Sequence, residues 1–193
     1  MKIYKINPKN PDKKIIDKAI NKLASGGVVL YPTDTVYGLG ANIFNKKAVN
    51  EVYKIKNREL TKPLSILISN IEAMPIIADL NENQKKCINN YLPGPYTFIL
   101  KKKNTIPKYI TSGKDTVGIR IPDNNIARAL AELFPITTTS ANLSDEKTLN
   151  NPKEILEQLN SSVDLVLDVG SLKSNIPSKI IDLTSSIPKF LKR

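Results

Sequence analysis

Apolar positions recur along this chain with two different spacings, and the two alternate. After a first short strand, KIYKI, the residues Ile15, Ile16, Ala19, Ile20 and Leu23 fall on one face of a helix. Asn10 is expected to cap that helix, Pro11 to take its first position, and Gly26-Gly27 to end it. The β-branched run GVVLYP then predicts a buried strand. Asn45 opens a second helix through Val49, Val52, Tyr53 and Lys56, which stops near KNRELTKP and is followed by the strand LSILI. The stretch from Ile71 to Leu92 predicts two helices, IEAMPIIADL and ENQKKCINNYL, closed off by Pro93-Gly94-Pro95. YTFILKK and TVGIRIP are strands around a lysine-bearing loop, Lys101 to Asp115, which is a lid candidate; ARALAELF is a helix and PITTTSAN a strand running into a turn. Helix PKEILEQLN and strands VDLVLDVG, SKIIDL and PKFLK complete the order. Strands and helices interleave with neither repeats nor a linker, so the expectation is one α/β domain, residues 1–193, around a mixed sheet.

Composition narrows this picture. A chain of 193 residues with 40% hydrophobic content supports one real core and not two large ones. No apolar run is long enough to cross a bilayer, and MKIYKINPKNPDKK lacks the apolar stretch of a secretory leader, so no membrane role is expected. The single cysteine, Cys87, cannot form an internal disulfide, which suits a reducing cytoplasm; within NQKKCINNYL it is expected to pack rather than react. The net charge of +11 points to a polyanionic partner, although abundant lysine, isoleucine and asparagine offer a compositional origin for the same charge. Arginine is the more telling cation. Only Arg58, Arg120, Arg128 and Arg193 occur, so against a lysine background each marks a place where a planar, forked donor is useful.

Four polar clusters sit at ends of predicted elements. PTDTVYGLG follows a buried strand; its glycines would allow close backbone approach or positive φ, while Asp34 and the threonines would equally serve a local turn. Lys56, Arg58 and Lys62 follow a helix end, where they could line a triphosphate site or form a solvated face favourable to the helix dipole. TTTSAN delivers hydroxyls and an amide to a turn, as a ligand site or a simple cap. Arg120 lies within an apolar strand, a costly place for a charge unless a ligand or a buried carboxylate pairs with it. With no histidine, histidine bases, His-dependent triads and His-ligated metals are excluded, and neither a Walker A nor a G-x-G-x-x-G pattern occurs. Hydroxyls, lysines and a few arginines suit an anionic substrate and charge stabilisation in phosphoryl or nucleotidyl transfer.

GGVVLYPTDTVYGLGAN, KIKNRELTKPLSILI, LPGPYTFIL, VGIRIP and TTTSANLS, in this order and spacing, resemble the YrdC/Sua5 family of threonylcarbamoyl-AMP synthases, from about Ile15 to Leu183. The resemblance implies a twisted open mixed sheet flanked by helices, with a large positively charged cavity. It implies formation of threonylcarbamoyl-adenylate and pyrophosphate from L-threonine, bicarbonate (as carbon dioxide) and ATP. Other proteins then transfer the threonylcarbamoyl group to the adenosine beside the anticodon of tRNA. By this resemblance Thr35, Arg120, Thr138 and Ser178 contact threonine; Lys56 and Arg58 act on the phosphates; and Arg58, Lys62, Thr116, Ser140 and Asn142 hold ATP. Mg2+ is expected to arrive with ATP, without a protein metal site.

The chain departs from the family pattern in places. Leu67 replaces a histidine that contacts threonine in some members, Lys62 replaces a frequent asparagine, and LSDEKT replaces a glycine-bearing turn, which leaves the nucleotide role of Thr148 open. Lys192 or Arg193 would have to supply any nucleotide contact from the last strand, and the expected form is the short one without an extra C-terminal domain. Two other classes remain. One is a module binding tRNA or double-stranded RNA without turnover. The other is a carbamoyl-adenylate-forming enzyme like the related domain of hydrogenase-maturation proteins, whose further modules this length and cysteine content do not accommodate.

Overall fold

Helix α1 (Lys13–Ala24) begins two residues later than the sequence suggests: Asp12, not Asn10, is the cap, its carboxylate accepting the Lys14 N–H at 2.7 Å. Asp12 satisfies a helix-end donor with a charged acceptor next to the positive end of the dipole, a stronger cap than a displaced amide. Asn45 caps α2 (Lys46–Ile55) as expected, accepting from Ala48. The computed structural model describes residues 1–160, 163–185 and 187–191.

The remaining elements are β1 (Lys2–Lys5), β2 (Val29–Tyr31), β3 (Gly38–Gly40), β4 (Ser65–Leu67), a 3-10 turn (Ile71–Ala73), α3 (Met74–Ile77), α4 (Glu82–Asn89), β5 (Tyr96–Lys101), α5 (Lys108–Thr111), β6 (Thr116–Arg120), α6 (Asn125–Leu130), β7 (Ile136–Ser140), α7 (Pro152–Leu159), β8 (Leu165–Asp168), β9 (Lys179–Asp182) and β10 (Lys189–Leu191). All ten strands join one open mixed sheet in the order β1-β8-β2-β3-β7-β4-β6-β5-β9-β10.

Strand β3 was not expected. Gly38-Leu39-Gly40 reads as a turn because glycine weakens strands, yet it pairs antiparallel with both β2 and β7. Neither glycine has positive φ. A β-carbon on Gly38 would lie 2.9 Å from Cζ of Tyr31, and one on Gly40 equally close to its Cε1, so the glycines make room for that ring.

Two apolar layers cover the sheet. On one face α2, α3, α4, α5 and α7 bury residues such as Val49, Val52, Ile88 and Ile155 against Leu30, Ile66, Phe98 and Ile119. On the other, α1 and α6 cover Val29, Tyr31, Leu67, Ile136, Leu165 and Leu167. Leu67 is fully buried in that second layer. Cys87 packs, partly buried, against the first. The Lys101–Asp115 segment, the lid candidate, is packed against the rest of the chain. Ile106 and Ile110 are buried, Tyr109 donates to the Ile43 carbonyl at 2.8 Å, and Leu64 N–H bonds to the Ile110 carbonyl. Among the described residues no helix is long and apolar enough to cross a membrane.

Candidate functional site

The second layer stops halfway across the sheet, and the register explains why. Ile180 pairs with Thr97, Ile99 with Gly118, Ser65 with Thr138, and Gly38 with Ser140, and all eight project on the face that α1 and α6 cover elsewhere. Alternation then sends Ile66, Phe98, Ile119 and Leu39 to the opposite core. A strip dominated by threonine, serine and glycine, with only Ile99 and Ile180 apolar among the eight, gives a helix little to bury. It becomes instead the floor of a cavity of about 760 Å3, within the usual range for small-molecule sites. Gly118 keeps the floor low, because a β-carbon there would overlap Ser65 Oγ.

One wall comes from the end of α2. Lys56 is its C-cap, Asn57 turns left-handed at φ 48°, and Arg58 N–H reaches back to the Tyr53 carbonyl at 2.9 Å while Asn57 N–H takes that of Lys54. This is a Schellman ending with asparagine in the usual glycine place, and it turns the chain so that Lys56, Arg58 and Lys62 all face the cavity. Lys56 is buried; its ammonium donates to the carbonyls of Ser140 at 2.5 Å and Asn142 at 2.6 Å, while its own carbonyl accepts from Ser144 N–H. Helix end and β7 turn are therefore sewn together through one residue. Arg58 donates from Nε to the Lys62 carbonyl and from Nη2 to that of Pro63 at 2.9 Å. Burial lowers its pKa from the ordinary value, opposed by nearby Tyr53 and Asp145. Lys62 reaches Asp145 of the opposite wall at 3.0 Å.

Arg120 lies at the other end of the cavity. Its Nη2 donates to Asp34 Oδ1 at 2.5 Å and to Thr35 Oγ1 at 2.8 Å. Thr35 in turn meets Thr33 Oγ1, which donates to the Val36 carbonyl. Of the two partners the sequence left open for Arg120, a ligand or a buried carboxylate, the structure supplies the carboxylate, Asp34. Next to them Tyr31 donates to the Thr137 carbonyl and is hydrogen-bonded by Thr138; burial pushes its phenol up to about 12.

Nine of the ten residues singled out in the sequence line this one cavity: Lys56, Arg58, Lys62, Thr116, Arg120, Thr138, Ser140, Asn142 and Ser178. Thr35 stands one bond behind, on Arg120. Ser178 is buried and hydrogen-bonded to Thr97 at 2.8 Å. Thr148 also lines the cavity while donating to the Asn175 carbonyl; Lys192 and Arg193 lie outside the described residues. Sequence reading missed Ser65, Thr97, Gly118, Lys114, Asp145 and Glu146. For the first three a signal existed: in LSILI, YTFIL and TVGIR the small or polar residues fall on one strand face. Lys114, Asp145 and Glu146 lie in loops and carried none.

The cavity presents five cations, Lys56, Arg58, Lys62, Lys114 and Arg120, against two carboxylates, Asp145 and Glu146. Among the described residues no group of three or more His, Cys, Asp or Glu side chains is placed to hold a metal ion. Such a site can bind an anion and stabilise charge developing on it, and it offers no nucleophile activated by a neighbouring base.

The family model Sua5_yciO_yrdC, described as "Telomere recombination", matches residues 21–193. A protein of Methanocaldococcus jannaschii called "Putative threonylcarbamoyl-AMP synthase" is 43% identical over 183 residues, 95% of this chain and 86% of its own length. The crystal structure of Pyrococcus abyssi Sua5 complexed with L-threonine superposes with a TM-score of 0.93 at 31% identity, covering 100% of this chain, which spans 57% of that longer one. Escherichia coli YciO gives a TM-score of 0.91 at 31% identity, covering 100% of this chain and 95% of its own.

Proposed function

This chain belongs to the Sua5/YciO/YrdC family, and on that premise we propose that it is a threonylcarbamoyl-AMP synthase, a nucleotidyltransferase acting in tRNA modification. L-threonine, bicarbonate and ATP give threonylcarbamoyl-adenylate, pyrophosphate and water. The observation that carries the reading is the placing of two different cationic ends in one cavity: the Lys56–Arg58–Lys62 wall and the Arg120 end, joined by a floor of small hydroxyl residues.

The threonine amine takes up carbon dioxide as a carbamate, losing a proton. A carbamate oxygen then attacks the α-phosphorus of ATP, and the bond to the β-phosphate bridging oxygen breaks, releasing pyrophosphate. Arg120 takes the amino-acid carboxylate, with Thr35, Thr138 and Ser178 around it. Selecting threonine means pairing its polar groups, since leaving one buried and unpaired costs about 1 to 3 kcal/mol. Arg58, Lys62, Thr116, Ser140 and Asn142 hold the triphosphate, and Arg58 and Lys56 steady charge on it. Mg2+ bound to ATP supplies charge neutralisation of the leaving pyrophosphate. The cavity's carboxylates, Asp145 and Glu146, fit an ion held chiefly by phosphate oxygens rather than by a protein cage. No covalent intermediate is needed, in keeping with a chain without histidine. On this reading the reaction runs in the cytoplasm, and separate transferase proteins receive the adenylate.

Pyrophosphate release by the purified protein with ATP, magnesium and bicarbonate, with and without threonine, tests this. Threonine-dependent release is the expected result. Absence of release from folded protein, together with RNA affinity falling steeply with salt, would favour the binding module that the charge of +11 suggests.

A further inference from the structure

The cations of the cavity are not equally neutralised. Arg120 and Asp34 form an ion pair in which the side chains are 5% and 12% exposed. The four other cations face the cavity opposite the exposed carboxylate of Asp145 and that of Glu146. Arg120 lines the cavity and Asp34 stands behind it, with Asp34 Oδ2 buried and without a partner among the described residues. Asp34 Oδ1 and Thr35 Oγ1 take both protons of Nη2, and Arg120 Nε is buried without a partner among the described residues. Nη1 is left as the edge of the guanidinium that a ligand can use. A guanidinium whose charge is matched by its own carboxylate still donates in fixed directions but attracts a polyanion only weakly.

We propose that Asp34 is a positioning and specificity residue that sorts two anions within one cavity. By fixing Arg120 and cancelling its charge, it reserves that end for the single carboxylate of a zwitterionic amino acid and turns the triphosphate toward the Lys56–Arg58 wall. The assignment of amino acid and nucleotide rests on the function proposed above; the sorting itself rests on the ion pair.

The test is Asp34→Asn, which keeps an acceptor for Nη2 and removes the charge, with thermal unfolding run beside it to show that the variant folds. Inorganic phosphate is titrated calorimetrically into wild type and variant without other substrates. Wild type is expected to take up phosphate at one site and the variant at a second site as well. In turnover, the threonine KM of the variant is expected to rise at least tenfold while the ATP KM stays within about threefold, and phosphate, competitive with ATP in wild type, becomes competitive with threonine. Identical phosphate titrations with unchanged inhibition patterns would overturn the proposal, as would equal rises in both KM values, the mark of a merely structural role. If wild type shows no threonine-dependent turnover while the variant still gains a phosphate site, the sorting stands and the synthase reading falls.

Discussion

The ammonium of Lys56 lies 2.5 Å from the carbonyl oxygen of Ser140, so a cation of the cavity wall is at the same time a brace of the fold. Lys56→Met keeps the stem and removes the donor, taking one partner from the part-buried carbonyl of Ser140, which retains the Asn142 N–H, and the ammonium from the buried carbonyl of Asn142. A stability loss of about 1–3 kcal/mol is expected, read as a melting temperature lowered by about 2–4 °C per kcal/mol. An unchanged melting temperature with lost turnover would mean that Lys56 acts only on substrate.

Arg58 spends Nε and Nη2 on two carbonyls of its own loop, which fixes the remaining edge of its fork. Arg58→Ala is expected to lower threonine-dependent pyrophosphate release on the order of a hundredfold. Arg58→Lys should remain well below wild type, because a flexible ammonium lacks the planar fork that holds both loop carbonyls while presenting a fixed further edge to a phosphate. Steady-state rates decide this; full activity in the lysine variant would contradict it.

Gly118 and Ser65 share the floor, and a methyl on the first collides with the hydroxyl of the second. Gly118→Ala should cost about 1–3 kcal/mol by overpacking and raise the KM of the ligand above it. Adding Ser65→Gly should recover most of the loss; the double variant, compared by denaturant unfolding, fails the prediction if the two costs simply add.

Tyr31 carries an alkaline signature. Its phenol is pushed up to about 12 in the fold from an ordinary 10.0. Below pH 10 both folded and unfolded chains keep the proton and nothing is lost. Between pH 10 and about 12 the unfolded chain releases it first, so stability falls, by on the order of 3 kcal/mol over that window. Tyr31→Phe should flatten part of this decline, with buried Tyr37, also raised by burial, accounting for more. Unfolding curves at pH 9, 10 and 11 measure it, and parallel declines in both proteins would refute it.

Much of this was legible in the sequence where local signals agreed. Asn45, the apolar stripe of α2 and the Lys56–Arg58–Lys62 group fell where expected, because capping, periodicity and chain termination all act within a few residues. Asp34 as partner of Arg120 was legible only in part: a charge in an apolar strand calls for a ligand or a carboxylate, but 86 residues of chain separate the two and nothing local says which one. Strand β3 was missed because its glycines are explained by a ring on another strand. The packing of the Lys101–Asp115 lid candidate was not legible, because Ile106 and Ile110, small apolar marks in a basic loop, decide it. Which residues take which substrate came from family resemblance, not from pattern.

The half-covered sheet carries a consequence of its own. Helices α1 and α6 roof one end of a face whose other end is mostly threonine, serine and glycine. A bound nucleotide and amino acid would supply the missing part of that roof, so the ligands act as the last piece of the molecule's own architecture. Occupancy and folding are then coupled quantities, with stability growing as RT ln(1 + [L]/Kd), and a cell well supplied with substrates would hold a sturdier protein than a starved one.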